Sequence, residues 1–319
     1  MWSLKIILKK RMWIRFIFVL FTFFACSSKR KLTDNLGFFD ISNDDKKIMF
    51  SYLIRGKGSS IYEMNTDGTD VRKIISTTSK NNYFRPVYSP NSKKILFLEY
   101  DKISYDVSVC IADIDGSNMQ KLTRGGERII TAIFSEYSNE IIYAKANEYG
   151  LSSPVGKVKS KGMDIYSVDI QTKEVKQLTN LNSYGIHRLF EVDSLNLLTH
   201  MTGPEGGICL VNKEKPNIFK RIIPKNNPRK KPSFYYQSII SEKFNMMVFD
   251  APYELYTMDM DSKIAKELYY SDGGHIRFFN LYNSKPTVLF LIKGELVLSS
   301  INLDGSNFKK IPIVIPDKL

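Results

Sequence analysis

The chain has 319 residues, of which 43% are hydrophobic and 13% aromatic, and it carries 46 Lys and Arg against 33 Asp and Glu. This apolar share is enough for a packed core and excludes a wholly disordered chain. Three cysteines in a chain of this length exclude a disulfide-stapled scaffold and a four-cysteine zinc site.

The N-terminal segment has the pattern of an export signal. Five cationic residues precede an uncharged apolar run over residues 16–25: Lys5, Lys9, Lys10, Arg11 and Arg15. A membrane-spanning helix needs about 20 apolar residues, so a run of half that length is typical of a signal peptide. The run ends in Ala25-Cys26, which resembles a bacterial lipoprotein signal. An uncleaved anchor and an ordinary signal are the alternatives, and either Met1 or Met12 can serve as the start.

The lipoprotein resemblance implies a division of the chain. Residues 1–25 form the signal peptide, residues 26–36 form a polar, basic tether, and residues 37–319 form the folded domain. Removal of the signal leaves 41 Lys and Arg against 33 acids, a net charge of +8 rather than +13. We therefore expect an outer-membrane lipoprotein of the bacterial cell envelope, acylated on Cys26. It faces either the periplasm or the exterior, and nucleic acid is not expected as a partner.

The rest of the chain is a repeat. Its clearest unit is residues 88–97 (YSPNSKKILF), with close echoes at 41–50 and 134–143 and weaker ones at 190–199, 240–249 and 281–290. The first apolar residue after each turn gives the register: Ile48, Ile95, Ile141, Leu197, Met247 and Val288. A second apolar strand follows in each unit, and in several units an Asp-Gly pair then predicts a two-residue hairpin turn. The pattern predicts four short antiparallel strands per unit.

Six such units of about 47 residues predict an all-β fold, a six-bladed β-propeller of four-stranded antiparallel blades. No helical periodicity is sustained outside the signal, so helices should be scarce. Propeller rings are usually closed by terminal strands that share a blade. The candidates are residues 36–40 and residues 310–315.

Residues 89–97, Asp115-Gly116 and Lys121-Leu122-Thr123 together resemble the WD-like repeat of TolB-like propellers. The resemblance covers residues 37–319 and is most specific in the second unit. It implies the propeller fold and a tendency toward protein partners.

The sequence has no peptidase elbow, phosphate-binding loop, dinucleotide fingerprint, Cys-x-x-Cys pair or His-Glu-x-x-His motif. We therefore expect a non-enzymatic protein that needs no cofactor. The alternative is a metal-dependent polysaccharide lyase or hydrolase that uses His187, His200 and His275 in the channel. Oligogalacturonate lyase, also a propeller, is similar in having metal-binding histidines in its channel.

A binding surface is predicted where the innermost strands begin. Transfer of the Arg85 position by spacing gives Thr131, His187 and Gln237, with Arg277 near the sixth equivalent. These residues predict a polar, partly cationic ring at one mouth of the channel, able to dock an anionic peptide, a glycan or a partner protein. A polar lining that only solvates a water-filled pore is the alternative. The leading hypothesis is a monomeric platform that binds an envelope protein or glycan.

Two long connections and two cysteines complete the candidates. Residues 144–162 and residues 224–233 interrupt the period, and the second segment carries a basic cluster for an acidic polymer or lipid head groups: Arg229, Lys230 and Lys231. Cys110 and Cys209 occupy one repeat position, which Tyr fills in other units. They belong to different units, so we expect them to be buried and unbridged.

Overall fold

The computed structural model describes residues 35–151, 158–204, 206–230 and 235–316. These residues form 24 strands and no α-helix. The first three blades comprise β1 (Asn35–Ile41), β2 (Lys47–Ile54), β3 (Gly58–Asn65), β4 (Arg72–Ile75); β5 (Asn81–Tyr88), β6 (Lys94–Asp101), β7 (Val107–Asp113), β8 (Gln120–Lys121); and β9 (Ile129–Phe134), β10 (Glu140–Leu151), β11 (Val158–Asp169), β12 (Val175–Gln177).

The last three blades comprise β13 (Gly185–Glu191), β14 (Asn196–Thr202), β15 (Gly207–Asn212), β16 (Phe219–Arg221); β17 (Ser238–Ser241), β18 (Met246–Asp250), β19 (Glu254–Asp259), β20 (Ala265–Tyr270); and β21 (Ile276–Leu281), β22 (Thr287–Ile292), β23 (Val297–Asn302), β24 (Lys309–Pro312). Each blade is a four-stranded antiparallel sheet of consecutive strands. The predicted six-bladed β-propeller is therefore confirmed.

The core consists of six apolar layers, one between each pair of neighbouring blades. Met49, Ile61 and Phe97, for example, pack between the first and second blades. Leu36, Phe278 and Leu298 pack between the first and the last. The second strand of each blade is buried on both faces, since each blade lies between two others, and this explains the nearly continuous apolar runs of these strands.

The ring closes in a different way from the one expected. The first and last strands lie in different blades, so no blade is shared between the two ends of the described chain. Instead, β1 contacts β21 as each inner strand contacts the next. Asp45 joins the blades by accepting hydrogen bonds from the Asn283 and Ser284 backbone N–H groups at 2.8 and 2.7 Å. Side-chain packing and polar contacts between the first and last blades thus close the ring in place of a shared blade.

The Asp-Gly turns also differ from the expected two-residue form. Asn65 donates its backbone N–H to the Thr69 carbonyl oxygen at 2.8 Å, so three residues lie between the paired positions. Only the glycine of each Asp-Gly pair has positive φ, as at Gly68 (91°) and Gly116 (87°). A type I′ turn would need positive φ at both residues, whereas a three-residue loop needs it only at the last.

The predicted long connection at 144–162 is mostly strand. The β10–β11 pairing continues from Glu140↔Asp169 to Leu151↔Val158. Each of these two strands has 12 residues, and the other strands have eight or fewer. The described part of the insertion therefore lengthens β10 and β11.

Candidate functional site

The innermost strand of each blade contributes one residue to a single layer. In five of the six blades the pairing between the innermost and the second strand is shifted by a bulge next to this residue. In each blade, the register residue of the second strand pairs with a residue of the innermost strand, as Ile95 pairs with Tyr88. The layer position lies three residues before that paired residue. It is occupied by Phe38, Arg85, Thr131, Arg188, Gln237 and Phe278, and all six line one cavity. The arrangement is a ring built by all six blades.

Three of the predicted ring residues occupy this layer: Arg85, Thr131 and Gln237. In the fourth blade the position belongs to Arg188, one residue after His187. The reason is that the turn after the innermost strand is one residue shorter in the fourth blade. Glu191 pairs with Leu197 there, whereas Tyr88 pairs with Ile95 in the second blade. Transfer of the Arg85 position with a constant spacing therefore gives His187, one residue before the residue that lines the cavity.

In the sixth blade the layer position is filled by Phe278, one residue after Arg277. Neither His187 nor Arg277 lines the cavity. Comparison of turn lengths between units is the sequence signal that could have identified Arg188.

The cavity has a volume of about 680 Å³. Its lining begins at the ring layer and continues along the inner strands to the turns that follow them. Exposed residues of those turns form the rim: Asn43, Pro90, Glu136, Glu242, Lys243 and Asn283. The ring layer is therefore the floor of a cavity that opens at the opposite rim. Its size lies within the range of small-ligand and peptide pockets.

Two arginines at the floor hydrogen-bond to neutral groups. Arg85 donates to the His187 carbonyl oxygen at 3.3 Å, and its guanidinium lies 3.4 Å from the centre of the Phe38 ring. Arg188 donates to the Phe279 carbonyl oxygen at 2.8 Å and to Gln237 Oε1 at 3.2 Å. Within the described ranges, no carboxylate forms an ion pair with either side chain.

The positive charges of Arg188 and Arg277 both act on Arg85. Burial lowers the pKa of Arg85 well below its usual range, and the charges of Arg188 and Arg277 lower it further. Arg277 lies outside the cavity and donates to Asn35 Oδ1 at 3.1 Å. Asp250 and Asp40 attract the charge of Arg188. Among the described residues no carboxyl has that effect on Arg85, so an anionic group would stabilise the Arg85 charge.

The next layer toward the rim is mostly apolar. It consists of Asp40, Val87, Ile133, Phe190, Ile239 and Asn280. Asp40 accepts hydrogen bonds from the Tyr88 backbone N–H at 2.8 Å and from Asn280 Nδ2 at 2.6 Å. Burial raises the pKa of Asp40 to about 6, although these hydrogen bonds and Arg188 oppose the rise.

A second buried carboxyl lies behind the floor. Asp250 is 1% exposed and accepts the Gln237 backbone N–H at 2.6 Å. Burial raises the pKa of Asp250 to about 8, while the hydrogen bond from Gln237 and the charge of Arg188 lower it. No repeat position drew attention to Asp40 or Asp250, because their importance depends on burial against other blades.

The histidines form a pair and a separate contact. The rings of His187 and His200 stack with 5.3 Å between their centres, and Tyr236 packs edge-on against His200 at 5.2 Å. Burial, with the charge of His187, lowers the pKa of His200 to about 3. The ring of His275 lies 4.3 Å from that of Tyr253. In the described part of the chain, no three His, Cys, Asp or Glu side chains are grouped as metal ligands.

The remaining candidates with described structure do not line the cavity. Arg229 forms an ion pair with Glu254 at 2.7 Å, and Lys230 is exposed. Lys231 and Cys26 lie outside the described residues. Cys110 and Cys209 are buried and unbridged, as predicted, and they occupy equivalent pairings opposite Phe97 and Thr199. Of the residues with described structure, none belongs to a helix long and apolar enough to span a bilayer.

Comparison with known proteins places the fold. No protein-family model matches the chain, and no curated protein matches its sequence. Among similar solved structures, TolB from Acinetobacter baumannii is 16% identical, with a TM-score of 0.64 over 85% of this chain and 64% of that chain. The chain thus spans less than two thirds of TolB. The predicted TolB-like propeller fold is confirmed.

Two further structures share the propeller. Oligogalacturonate lyase in complex with manganese is 11% identical, with a TM-score of 0.57 over 88% of this chain and 78% of that chain. A chain of the nidogen/laminin complex is 12% identical, with a TM-score of 0.53 over 75% of this chain and 80% of that chain. At such identities the likeness concerns the fold alone, and the similar structures include an enzyme as well as a chain of a protein complex.

Proposed function

We propose that the chain is an envelope lipoprotein whose propeller is a non-enzymatic platform for binding an envelope protein or glycan. The observation that carries the proposal is the central cavity, built by all six inner strands, with Arg85 and Arg188 at its floor. Neither side chain forms an ion pair with a carboxylate of the described residues, although Asp250 and Asp40 attract the charge of Arg188. Arg85 in particular can therefore receive an anionic group. A rigid ring that presents a preformed pocket binds without paying for a large rearrangement.

Occlusion of the cavity tests this platform role. Val87→Trp places a large ring among the lining residues, whereas Val175→Trp makes the same change on the exposed part of β12. After crosslinking in intact cells, we expect a specific partner to be captured by the wild type and by Val175→Trp, and to be lost with Val87→Trp. Equal capture by both variants would contradict the proposal.

The lyase alternative depends on His187, His200 and His275 acting on one metal ion. Two of these side chains stack on each other, and His275 packs on Tyr253. Metal analysis of the purified protein separates the two functions. Stoichiometric manganese, zinc or calcium that is lost in His187→Ala would favour the enzyme.

The lipid anchor is a separate part of the proposal. It rests on the pattern of residues 1–26, in which cations and a short apolar run precede Cys26. Cys26→Ala removes the sulfur that would carry the acyl chain, so we expect the variant to leave the membrane fraction and to take up no lipid label. Retention at the wild-type level would refute acylation.

A further inference from the structure

The floor of the cavity has the chemistry of a carboxylate site. Arg85 and Arg188 both line it, and each guanidinium has donors beyond the hydrogen bonds described above. A guanidinium presents parallel N–H groups that match the two oxygens of a carboxylate. Because both arginines are held by neutral partners, an entering carboxylate would gain two charge-assisted contacts without displacing an internal ion pair.

The layer above the floor selects against a sugar. Four of its six residues are apolar: Val87, Ile133, Phe190 and Ile239. A hydroxyl-rich ring placed there would leave hydroxyl groups without hydrogen-bond partners, which is costly in a desolvated site. An apolar side chain would instead bury its surface against these four residues. Asp40, in the same layer, is an acceptor for a backbone N–H.

The rim selects against a polyanion. Glu136 and Glu242 are exposed where the cavity opens, whereas Glu191, just inside, forms an ion pair with Lys213 at 2.7 Å. Burial raises the pKa of Glu136 above its usual range, and the charges of Glu191 and Glu242 raise it further. Lys243 is the cation among these rim residues, and its ammonium donates to the Ser284 carbonyl oxygen. A ligand with a single terminal negative charge is therefore favoured over a chain of uronic acids.

We propose that the cavity binds the C-terminal end of a peptide whose last side chain is apolar. The terminal carboxylate contacts Arg85 and Arg188, the last side chain packs against Val87, Ile133, Phe190 and Ile239, and the preceding residues leave past the rim. This inference rests on the proposed platform function and names the part of the partner that enters.

Two matched peptide pools test it. Both contain random heptapeptides ending in Leu, one with a free carboxylate and one with a C-terminal amide, and capture by the purified full chain is quantified by mass spectrometry. We expect the free acid to be enriched at least about tenfold over the amide. Arg85→Asn, which suits the positive φ of 53° at this position, should abolish that preference. Arg188→Lys should weaken it, and Lys176→Gln, on the exposed strand β12, should keep it within about twofold.

Equal capture of the two pools by the wild type would overturn the inference. Displacement of bound peptides by octanoate or tri-galacturonate at lower concentration than by a free-acid peptide would also overturn it, in favour of a fatty acid or a glycan. Failure of the two proposals is distinguishable. If Val87→Trp blocks partner capture while amidation has no effect, the platform stands and the carboxylate site falls. If free-acid peptides bind while Val87→Trp leaves partner capture unchanged, the platform falls.

Discussion

At the scale of single residues, the main feature is ionisable groups held inside the ring. Arg85 and Arg188 retain neutral hydrogen-bond partners, while Asp40 and Asp250 are buried close enough to Arg188 for its charge to lower their pKa values. For both carboxyls burial outweighs these favourable contacts, so their pKa values rise. The propeller thus accepts an electrostatic cost at its centre, a pattern often found at functional sites.

Asp250 gives a pH prediction. Its pKa rises from an ordinary 3.8 to about 8 on folding, so between these values the folded chain binds the proton more tightly than the unfolded chain. Its contribution to stability is complete below about pH 4 and is lost as the pH rises toward 8, by at most about 1.4 kcal/mol per pH unit. We expect Asp250→Asn, which keeps an acceptor for the Gln237 N–H, to flatten this decline in urea unfolding measured from pH 5 to 9. An unchanged slope would exclude Asp250 as its source.

At the scale of elements, the Asp-Gly turns do more than reverse the chain. A Cβ added at Gly68 or Gly116 would collide with a backbone oxygen of the preceding blade, Pro312 O or Ile74 O. At Gly305 the same addition meets nothing within 4 Å. The turns of the first two blades therefore rest on the neighbouring blade, and the last one does not.

This difference predicts the outcome of a matched pair of substitutions. Gly116→Ala and Gly305→Ala impose the same strain, since φ is 87° and 88°, and this strain costs about 1–2 kcal/mol. Only Gly116→Ala adds the clash with Ile74 O, so it should lose about 1–3 kcal/mol more. Urea unfolding at one pH measures both losses. Equal losses would mean that the turn moves away from the neighbouring blade at no cost.

At the scale of the whole molecule, the central question is how a ring of six sheets stays closed without a shared blade. The closure between the first and last blades combines an apolar layer, which includes Leu36, Phe278 and Ile315, with polar contacts from Asp45 and Asp40. It therefore resembles the other five junctions in kind. Since no covalent crossing protects it, this junction is where we expect the ring to open first.

Asp45 tests the closure. Asp45→Asn keeps a residue that tolerates the positive φ of 58° but cannot accept from both backbone N–H groups of Asn283 and Ser284. We expect a loss of about 1–2 kcal/mol and faster hydrogen exchange in β1 and β21. Asp44→Asn is the control, because the Asp44 contacts with Ser42 and Lys46 lie within one turn. Equal exchange in the two variants would count against Asp45 as a closing contact.

The sequence by itself determined the number of blades, the four strands in each and the burial of Cys110 and Cys209. These features follow from local patterns, since short apolar strands separated by turn residues recur in every unit. It also indicated Arg85, Thr131 and Gln237 as residues of one layer. The tertiary structure showed that Arg188 and Phe278, rather than His187 and Arg277, complete that layer, because the strand pairing shows which residue of each inner strand lines the cavity. The closure of the ring, and the burial of Asp40 and Asp250 beside Arg188, were likewise decided there, because both depend on contacts between residues far apart in the chain.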